Sequence, residues 1–555
     1  MRNALLVCLL ALTACSSPPP IPGPHPQLIL HSGRIYTQDG GQVVQAIALQ
    51  NGRVLAVGAD SDIRGLASKN TEQIDLGGRA VYPGFADGHA HLVGIGLAAD
   101  RLDLMGTDSY EGVLERVSER DSELPRGEWL EGRGWDQNDW TVQEFPHHAE
   151  LSQRVPERPV LLRRVDGHAS LANAAAMKLA GVDRNTVAPD GGRILHDASG
   201  EPTGVFIDTA QGLFSKVQPE ASAAAIRSAI DAASASLHSQ GITALHDAGI
   251  GQPTLNVLES MASKHELRLR LHEMLSGSDP DLLSRRFKTG PVSDVSGDGT
   301  LAVRSVKLYA DGALGSRGAA MIEPYSDDEH NHGLVITTEE EMRAVSARAL
   351  KAGFQVCTHA IGDRGIKLTL DAYSAALKDS GNADARFRVE HAQVVHPDDF
   401  ARFANLGVIP AMQAQHQTSD MPWAEARVGA QRIRGAYAWR SFLDLGCIVP
   451  GGSDAPVERL DVVAQFVAAV TRQTIDGEPS GGWYPDQVMT RQEALNMLTT
   501  WPAQAAFREH DLGKLTPGYR ADLVVFEGDL MTVSPAELKN CKPAMTIFAG
   551  EIVWE

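Results

Sequence analysis

The feature that most constrains the fold is an alternation of helix-like and strand-like segments through the middle of the chain. TTEEEMRAVSARALKAG has the pattern of a helix, QVCT that of a short strand, and the order repeats through RFRVEHAQ and VIPAMQAQH. Thr338 and Glu341 have the spacing of a capping box, and Gly353 is placed to end the helix. Alternation at this spacing predicts a parallel sheet whose strands are connected by covering helices.

Strand-like segments exceed by two the number that a closed barrel of eight parallel strands, a (β/α)8 TIM barrel, requires. They begin near Val81, Trp129, Val160, Ile242, Leu267, Leu301, Gln355, Arg386, Val408 and Ile448. We assign the pair at Trp129 and Val160 to an insertion of about residues 100–240, because it lies in the long interval after the first strand. The sequence therefore predicts a barrel domain over residues 81–510, with the insertion placed over its mouth.

Both ends of the chain are rich in short strands. LILHSGRIYT and AIALQNGRVLAVG stand near the amino terminus, and GYRADLVVFEGD and AMTIFAGEIVWE near the carboxyl terminus. Asn51-Gly52 is a strong hairpin signal. We expect residues 28–80 and 511–555 to form one small, discontinuous β-sandwich domain.

The first fifteen residues, MRNALLVCLLALTAC, are typical of a lipoprotein signal peptide. A basic residue precedes an apolar run that is too short to span a membrane, and LTAC resembles a bacterial lipobox whose Cys15 would be lipidated. Ser16 at the next position favours the outer membrane over the inner one. Residues 16–27 read as a Pro-rich tether. We therefore expect a lipid-anchored protein of the bacterial cell envelope that faces the periplasm; an ordinary secretory leader is the alternative.

Charge and cysteine usage exclude several classes of protein. The formal net charge of −20 and the lack of any basic run argue against a nucleic-acid partner. Cys357, Cys447 and Cys541 are scattered, which favours buried free thiols over a disulfide framework or a thiolate zinc site.

Polar residues recur where the predicted barrel strands end. His89 and His91 stand two apart in YPGFADGHAHLVG, a spacing that places both side chains on one face of a strand. Four further residues lie late in, or directly after, other strands: Lys307, His359, His391 and Asp454. A single histidine at a strand end is usually structural, but six such groups indicate a site at the carboxyl ends of the strands.

With these residues the chain resembles the amidohydrolase superfamily, and within it family 3, the branch of YtcJ-like and N-substituted formamide deformylase-like proteins. The stretches that carry the resemblance are YPGFADGHAHL, GRGWDQNDW, VDGHASLANAAAM, GITALHDAG, VKLYADGALGSRGAA, THAIGDRG, RVEHAQ, SDMPWAEARVG, GGSDAPVE and GKLTPGYRADLVVFEGD. At two positions, Ala414 and Trp501, the chain departs from the usual residues of this family. Neither position is one of the proposed ligands.

The resemblance implies a binuclear metal centre. His89 and His91 would bind one ion and His359 and His391 the other, with Lys307 carboxylated by CO2 to a carbamate that bridges both. Imidazole and carboxylate ligands suit Zn²⁺ best, with Mn²⁺ or Fe²⁺ as alternatives. Asp454 would contact the first ion and serve as general base and then acid, while a hydroxide between the ions attacks a carbonyl.

Four residues are candidates for substrate binding. Trp135, Asp136 and His168 lie in insertion motifs that match the family, and Arg317 follows the glycine-rich DGALGS. Trp135 could equally be a packing residue, and a surface role is the default for Arg317. Lys307 could likewise form a buried ion pair with Asp311 instead of a carbamate.

These inferences predict a hydrolase of a non-peptide C–N bond in a small molecule, with the amide of an N-acyl or N-formyl compound as the best single substrate class. A mononuclear deaminase or an ester or lactone hydrolase on the same fold is the alternative, although a mononuclear deaminase would not need Lys307. A non-catalytic ligand-binding lipoprotein is the rival from another class. The sequence leaves an oligomer open.

Overall fold

The structure, a computed structural model, describes residues 25–98, 100–378 and 384–555. The predicted signal peptide, the lipidation site at Cys15 and most of the tether lie outside these ranges. Within them, no helix combines the length and the apolar character that a membrane crossing requires.

Seven parallel strands form a barrel-like sheet in the centre of the molecule, with each strand bonded to the one before it along the chain. They are β1 (Phe85–Ala90), β2 (Ile242–Ile250), β3 (Arg270–Ser276), β4 (Leu301–Tyr309), β5 (Gln355–Ala360), β6 (Arg388–His391) and β7 (Ile409–Ala411). The predicted TIM-barrel architecture is confirmed, with most strands starting within three residues of the expected position.

The eighth strand, expected near Ile448, is present only as an irregular segment. A single parallel bridge joins Met412 to Gly451, and the amide of Gly88 donates to the carbonyl of Gly451 at 2.7 Å. Pro450 has no N–H to donate to a ladder, and the glycines that follow weaken a regular strand. The segment nevertheless closes the gap between β7 and β1.

The strand expected from Val81 is in fact two strands that serve different sheets. Ala80–Pro83 pairs with Leu523–Glu527 in a terminal sheet, and β1 begins only after Gly84. A Cβ atom on Gly84 would lie 2.2 Å from the Thr243 hydroxyl, so glycine is needed where the chain passes between the two sheets.

Helices cover the barrel and connect its strands. The helix predicted after Thr338 spans Glu339–Lys351 and begins with the expected capping box. The other α-helices are Asp60–Arg64, Leu92–Ala98, Tyr110–Glu123, His148–Arg154, Ala174–Ala180, Gly212–Ser215, Ala223–Ser239, Gln252–Ser263, Pro280–Thr289, Asp363–Lys378, Phe400–Leu406, Ala414–Asp420, Ala424–Arg432, Trp439–Asp444, Val462–Thr471, Arg491–Met497 and Thr500–Ala505. Short 3-10 helices occupy Gln137–Asp139, Thr209–Gln211, Ile433–Gly435, Pro485–Gln487 and Pro535–Asn540.

Strands from both termini build two sheets that share one apolar core. The four-stranded sheet has the order Arg53–Gly58, Ala46–Gln50, Leu28–His31 and Glu72–Asp75. The six-stranded sheet has the order Glu551–Trp554, Lys542–Phe548, Leu523–Glu527, Ala80–Pro83, Arg34–Tyr36 and Val43–Val44.

A separate six-stranded sheet lies between β1 and β2 along the chain. Its order is Gly192–His196, Pro202–Asp208, Ala169–Ala172, Val160–Arg164, Leu130–Trp135 and Leu102–Asp103. It contains the strands expected near Trp129 and Val160, and it has its own buried core. Several of its connecting segments reach the carboxyl ends of the barrel strands.

Candidate metal centre and active site

Three buried side chains converge at the carboxyl ends of the barrel strands. One ligand atom each of His89, His391 and Asp454 lies within 4.8 Å of the others. His89 stands at the end of β1, His391 ends β6, and Asp454 follows the irregular eighth segment. Because parallel strands end at one edge, residues far apart in sequence meet here.

The His89 ring is oriented by a buried acidic residue. Its Nδ1 contacts the Glu390 carboxylate, and the other side of that carboxylate pairs with Arg388 at 2.7 Å. All three side chains are almost fully buried. This contact leaves Nε2 of His89 directed toward Asp454 Oδ1, 3.5 Å away.

Two residues of the convergent set have left-handed backbone conformations. The φ angle is 73° at His391 and 55° at Asp454, values that non-glycine residues rarely adopt. The Asp454 amide donates to the His89 carbonyl at 2.7 Å, and Nδ1 of His391 lies 2.8 Å from Gln413 Oε1. Strained backbone of this kind is frequent at functional sites.

The remaining predicted ligands surround this group. Nε2 of His91 lies 3.1 Å from Asp454 Oδ1, and the ring of His359 stands 4.6 Å, centroid to centroid, from that of His391. Nζ of Lys307 lies 3.3 Å from Nε2 of His89. The structure thus brings all six predicted ligands to one end of the barrel.

Lys307 is buried and has no carboxylate partner among the described residues. Asp311, the alternative ion-pair partner, instead accepts hydrogen bonds from the backbone amides of Ala320, Ile361 and Gly362. Nζ of Lys307 stands 4.7 Å from the centre of the Tyr309 ring. The described structure therefore contains no Lys307–Asp311 ion pair.

Burial keeps His89, His359 and His391 neutral. Desolvation, together with the neighbouring Lys307 charge, lowers the pKa of His89 to about 4. Desolvation also holds the pKa values of His359 and His391 well below their usual range. A neutral imidazole is the form that ligates a metal ion.

The donor set fits a divalent metal ion. Asp454 Oδ1 is buried without a hydrogen bond of good geometry, although two imidazole nitrogens lie within 3.5 Å of it. A buried carboxylate oxygen in this condition is costly unless a cation or a proton compensates it. Neutral imidazoles and a carboxylate are suitable ligands for zinc and related ions.

A cavity of about 150 Å³ opens from this group toward the insertion. Asp136 and His168 line it, as does Arg164, which pairs with the carboxylates of Asp136 and Asp166. His168 Nδ1 lies 2.7 Å from Asp208 Oδ1, and its ring stands 4.9 Å from that of His359. The insertion therefore supplies one wall of the cavity above the convergent ligands.

Two of the predicted substrate-binding residues do not line this cavity. Trp135 is buried in the core of the insertion, and its indole N–H donates to the carbonyl of Leu162 at 2.8 Å. Arg317 pairs with Asp327 at 3.0 Å, away from the ligands. Trp135 therefore has a packing role, and Arg317 forms a partly exposed ion pair, as the alternatives for these two residues predicted.

Sequence reasoning missed His416, which lies beside Asp454. Burial alone disfavours its imidazolium, but hydrogen bonds to Asp454 and Glu458 outweigh that effect and raise the pKa of His416 to about 10. Its Nδ1 lies 2.9 Å from Glu458 Oε1 and its Nε2 3.5 Å from Asp454 Oδ2. The available signal was its place as the last residue of VIPAMQAQH, the predicted strand.

Comparison with known proteins places these observations in a family context. The model of the amidohydrolase family Amidohydro_3 matches residues 72–554. The putative amidohydrolase YtcJ of Bacillus subtilis is 32% identical over 95% of this chain and 99% of its own length. The N-substituted formamide deformylase of Arthrobacter pascens is 28% identical over 95% of this chain and 98% of its own.

A solved structure has the same overall fold. An uncharacterized metal-dependent hydrolase from Pyrococcus horikoshii superimposes with a TM-score of 0.74 at 25% identity, covering 92% of this chain and 99% of that one.

Proposed function

Since the chain belongs to the amidohydrolase family, we propose that it is a metal-dependent hydrolase that cleaves a non-peptide carbon–nitrogen bond of a small molecule. The observation that carries the proposal is the convergence of His89, His391 and Asp454, with neutral imidazoles, beside a cavity that His391 and Asp454 line. A linear amide of an N-acyl or N-formyl compound is the proposed substrate class, and the formamide deformylase among the relatives supports it.

We propose two divalent ions, zinc in the first instance. His89, His91 and Asp454 would hold one and His359 and His391 the other, with a carbamate on Lys307 between them. Two observations support the carbamate: Lys307 Nζ lies near His89, and no carboxylate of the described residues pairs with it. The ions would supply the Lewis acidity that activates water and polarises the carbonyl.

The side chains around the ions have separate tasks. Asp454 is ionised, because the adjacent His416 and His91 offset its desolvation and hold its pKa well below the usual range. It can therefore accept a proton from the attacking water at Oδ1 and pass it to the departing nitrogen. His416 lies between Asp454 and Glu458 and so fixes the plane of the Asp454 carboxylate. Glu390 and Arg388 fix the ring of His89.

The decisive experiment combines metal content with turnover. Leaderless wild-type protein and Lys307→Ala are purified without chelator, and bound metal per chain is measured by mass spectrometry. Two ions in the wild type, with fewer in the variant, are expected. One ion in both would overturn the carbamate bridge and favour the mononuclear alternative.

Turnover is then measured as amine release from a series of N-alkylformamides and the matching N-alkylacetamides, and as alcohol release from alkyl formate esters as controls. Hydrolysis of formamides in preference to esters is expected. Metal-loaded protein that hydrolyses esters but no amide would contradict the proposed bond type.

We also propose that Cys15 carries a lipid anchor in the outer membrane, on the strength of the signal-peptide pattern alone. Metabolic labelling with an alkynyl fatty acid in a bacterial host should label the full chain but not Cys15→Ser. Equal labelling of both, or of neither, would contradict the anchor.

A further inference from the structure

A second cavity, of about 430 Å³, lies beside the cavity of the metal centre. Its walls come from the helix Leu92–Ala98, the insertion edge at Leu102–Asp103 and the loop 455–460. Met105 and Glu458 line both cavities and so form the partition between them. This volume falls in the range of small-molecule binding sites.

The lining of the second cavity is apolar over most of its body. Ile95, Leu102, Met105, Pro456 and Leu460 contribute hydrophobic surface. An apolar chain of a few carbon atoms would therefore lose water-exposed surface on entering it.

The charged groups of this cavity already have partners of opposite charge, with one exception. Arg101 pairs with Glu131 at 3.0 Å, and Arg459 pairs with Asp103 at 3.3 Å. The Glu458 carboxylate is taken up by His416.

Arg133 is the exception among the described residues. Its guanidinium makes one hydrogen bond, from Nη2 to the carbonyl of Val165 at 3.0 Å, and its Nε is buried without a partner. No carboxylate oxygen of the described residues lies within ion-pair distance of it. Burial lowers the pKa of Arg133 to about 10, with the more distant charges of Asp454 and Asp166 opposing the shift, so the side chain is charged at neutral pH. A charge held in this way is costly unless a ligand compensates it.

We propose that the second cavity is a binding site for a small organic monocarboxylate, whose carboxylate pairs with Arg133 and whose apolar chain lies against Leu102, Met105 and Pro456. A single arginine beside an apolar wall fits a carboxylate with a short hydrocarbon chain better than it fits inorganic phosphate. The proposal concerns binding and does not depend on the reaction assigned to the metal centre.

The partition gives such a ligand a route to influence the first cavity. Ala455 and Pro456, which line the second cavity, directly follow Asp454, and Glu458 contacts His416. Occupancy would therefore immobilise the loop that positions Asp454.

The test uses hexanoate as the probe, titrated calorimetrically into the leaderless, metal-loaded protein. 1-Hexanol and hexylamine are matched probes of equal chain length, and phosphate tests an anion without a chain. Hexanoate should bind at least about tenfold more tightly than 1-hexanol, because it adds a charged hydrogen bond. Equal or tighter binding of hexylamine, or of phosphate, would overturn the proposal.

Arg133→Gln should weaken hexanoate binding by about tenfold or more and leave 1-hexanol unaffected. Arg459→Gln is the matched control, since this arginine lines the same cavity but already has a carboxylate partner. Arg133→Lys, which keeps the charge, should retain most of the affinity if loss of charge explains the effect. An equal loss in the Arg133→Gln and Arg459→Gln variants would contradict the special role of Arg133.

A carboxylate could also bind the metal ions, so a blocking variant separates the two sites. Ser236 lies at the exposed side of the second cavity, on the helix Ala223–Ser239 and apart from the convergent ligands. Ser236→Trp should reduce hexanoate binding while the metal content is retained. Binding that survives both Ser236→Trp and Arg133→Gln would lie at the metal centre and would refute the second site.

Discussion

The two ends of the barrel interior are both polar, but their buried polar atoms are hydrogen-bonded to different extents. Toward the amino ends of the strands, Ser305 Oγ lies 2.7 Å from Nε2 of His272 and donates to Gln355 Oε1 at 2.6 Å. Gln355 in turn donates to two backbone carbonyls, and of the side-chain polar atoms of this network only Nδ1 of His272 lacks a partner among the described residues. At the carboxyl ends, Asp454 Oδ1 has no such hydrogen bond, although His89 lies close to it.

The difference separates a structural network from a site. Polar groups that satisfy one another stabilise a single arrangement of the barrel, whereas groups that converge without satisfying one another require an external partner. Residue type alone does not distinguish the two, since histidine is prominent at both ends.

A substitution at the carboxyl ends of the strands, in Asp454, should have the largest effect on catalysis. Asp454→Asn removes the proton acceptor and a metal ligand while keeping the side-chain shape, so kcat should fall on the order of 10²–10⁴-fold. Steady-state kinetics at matched metal content measure the effect. A variant with full metal occupancy and near-normal kcat would show that Asp454 does not transfer a proton.

The second-largest effect is expected when the residue that orients His89 is changed. Glu390→Gln should reduce metal affinity or activity by about 10–100-fold, because the ring loses its carboxylate partner. It should also destabilise the fold by about 3 kcal/mol, since Arg388 keeps its charge without full compensation. Equilibrium metal titration and denaturant unfolding give the two values.

The double variant Arg388→Met with Glu390→Met is the control for that change. It removes both charges, so stability should recover at least in part while activity stays low. Recovery of activity together with stability would mean that Glu390 acts only through the fold.

Toward the amino ends of the strands, a substitution is expected to affect stability alone. Ser305→Ala leaves His272 and Gln355 without their shared partner and should cost about 1–3 kcal/mol of unfolding free energy. The kcat of the folded enzyme should stay unchanged, as measured in the same preparation. A loss of kcat without a loss of stability would show that Ser305 contributes to catalysis.

The smallest effect concerns pH and lies where the terminal domain meets the barrel. Asp511 pairs with Arg508 and also contacts Arg53 and Arg520. These contacts outweigh its desolvation and lower its pKa from 3.8 to about 2. Because the folded pKa is the lower one, this stabilisation is present above about pH 4 and is lost as pH falls toward 2.

After allowance for solvent screening, the contribution of Asp511 is about 1 kcal/mol. The stability difference between wild type and Asp511→Asn should therefore shrink between about pH 4 and pH 2, as followed by urea unfolding. A difference that stays constant over this range would rule out the assigned ion pairs as its cause.

Much of the site could be predicted because barrel strands obey a local rule. An apolar stretch that ends in a histidine can be read from neighbouring residues, and His89, His359 and His391 were found in this way. The helix Glu339–Lys351 was equally local, since its cap lies within four residues.

The features that the sequence did not predict depended on local backbone conformation or on residues distant in the sequence. Strand alternation alone would send the neighbouring Glu390 and His391 to opposite faces of β6, yet Glu390 contacts His89, and the backbone at His391 is left-handed. Whether Trp135 packs in the insertion core or lines a pocket depended on strands that pair across residues 102–208.

The sequence by itself determined the architecture and the six residues that meet at the barrel mouth, because period, capping and strand-end position are properties of short segments. The tertiary structure alone decided how buried charge is compensated: Glu390 to His89 and Arg388, His416 to Asp454 and Glu458, and Arg133 to none of the described carboxylates. Compensation depends on distances between groups tens or hundreds of residues apart, and only the folded chain sets those distances.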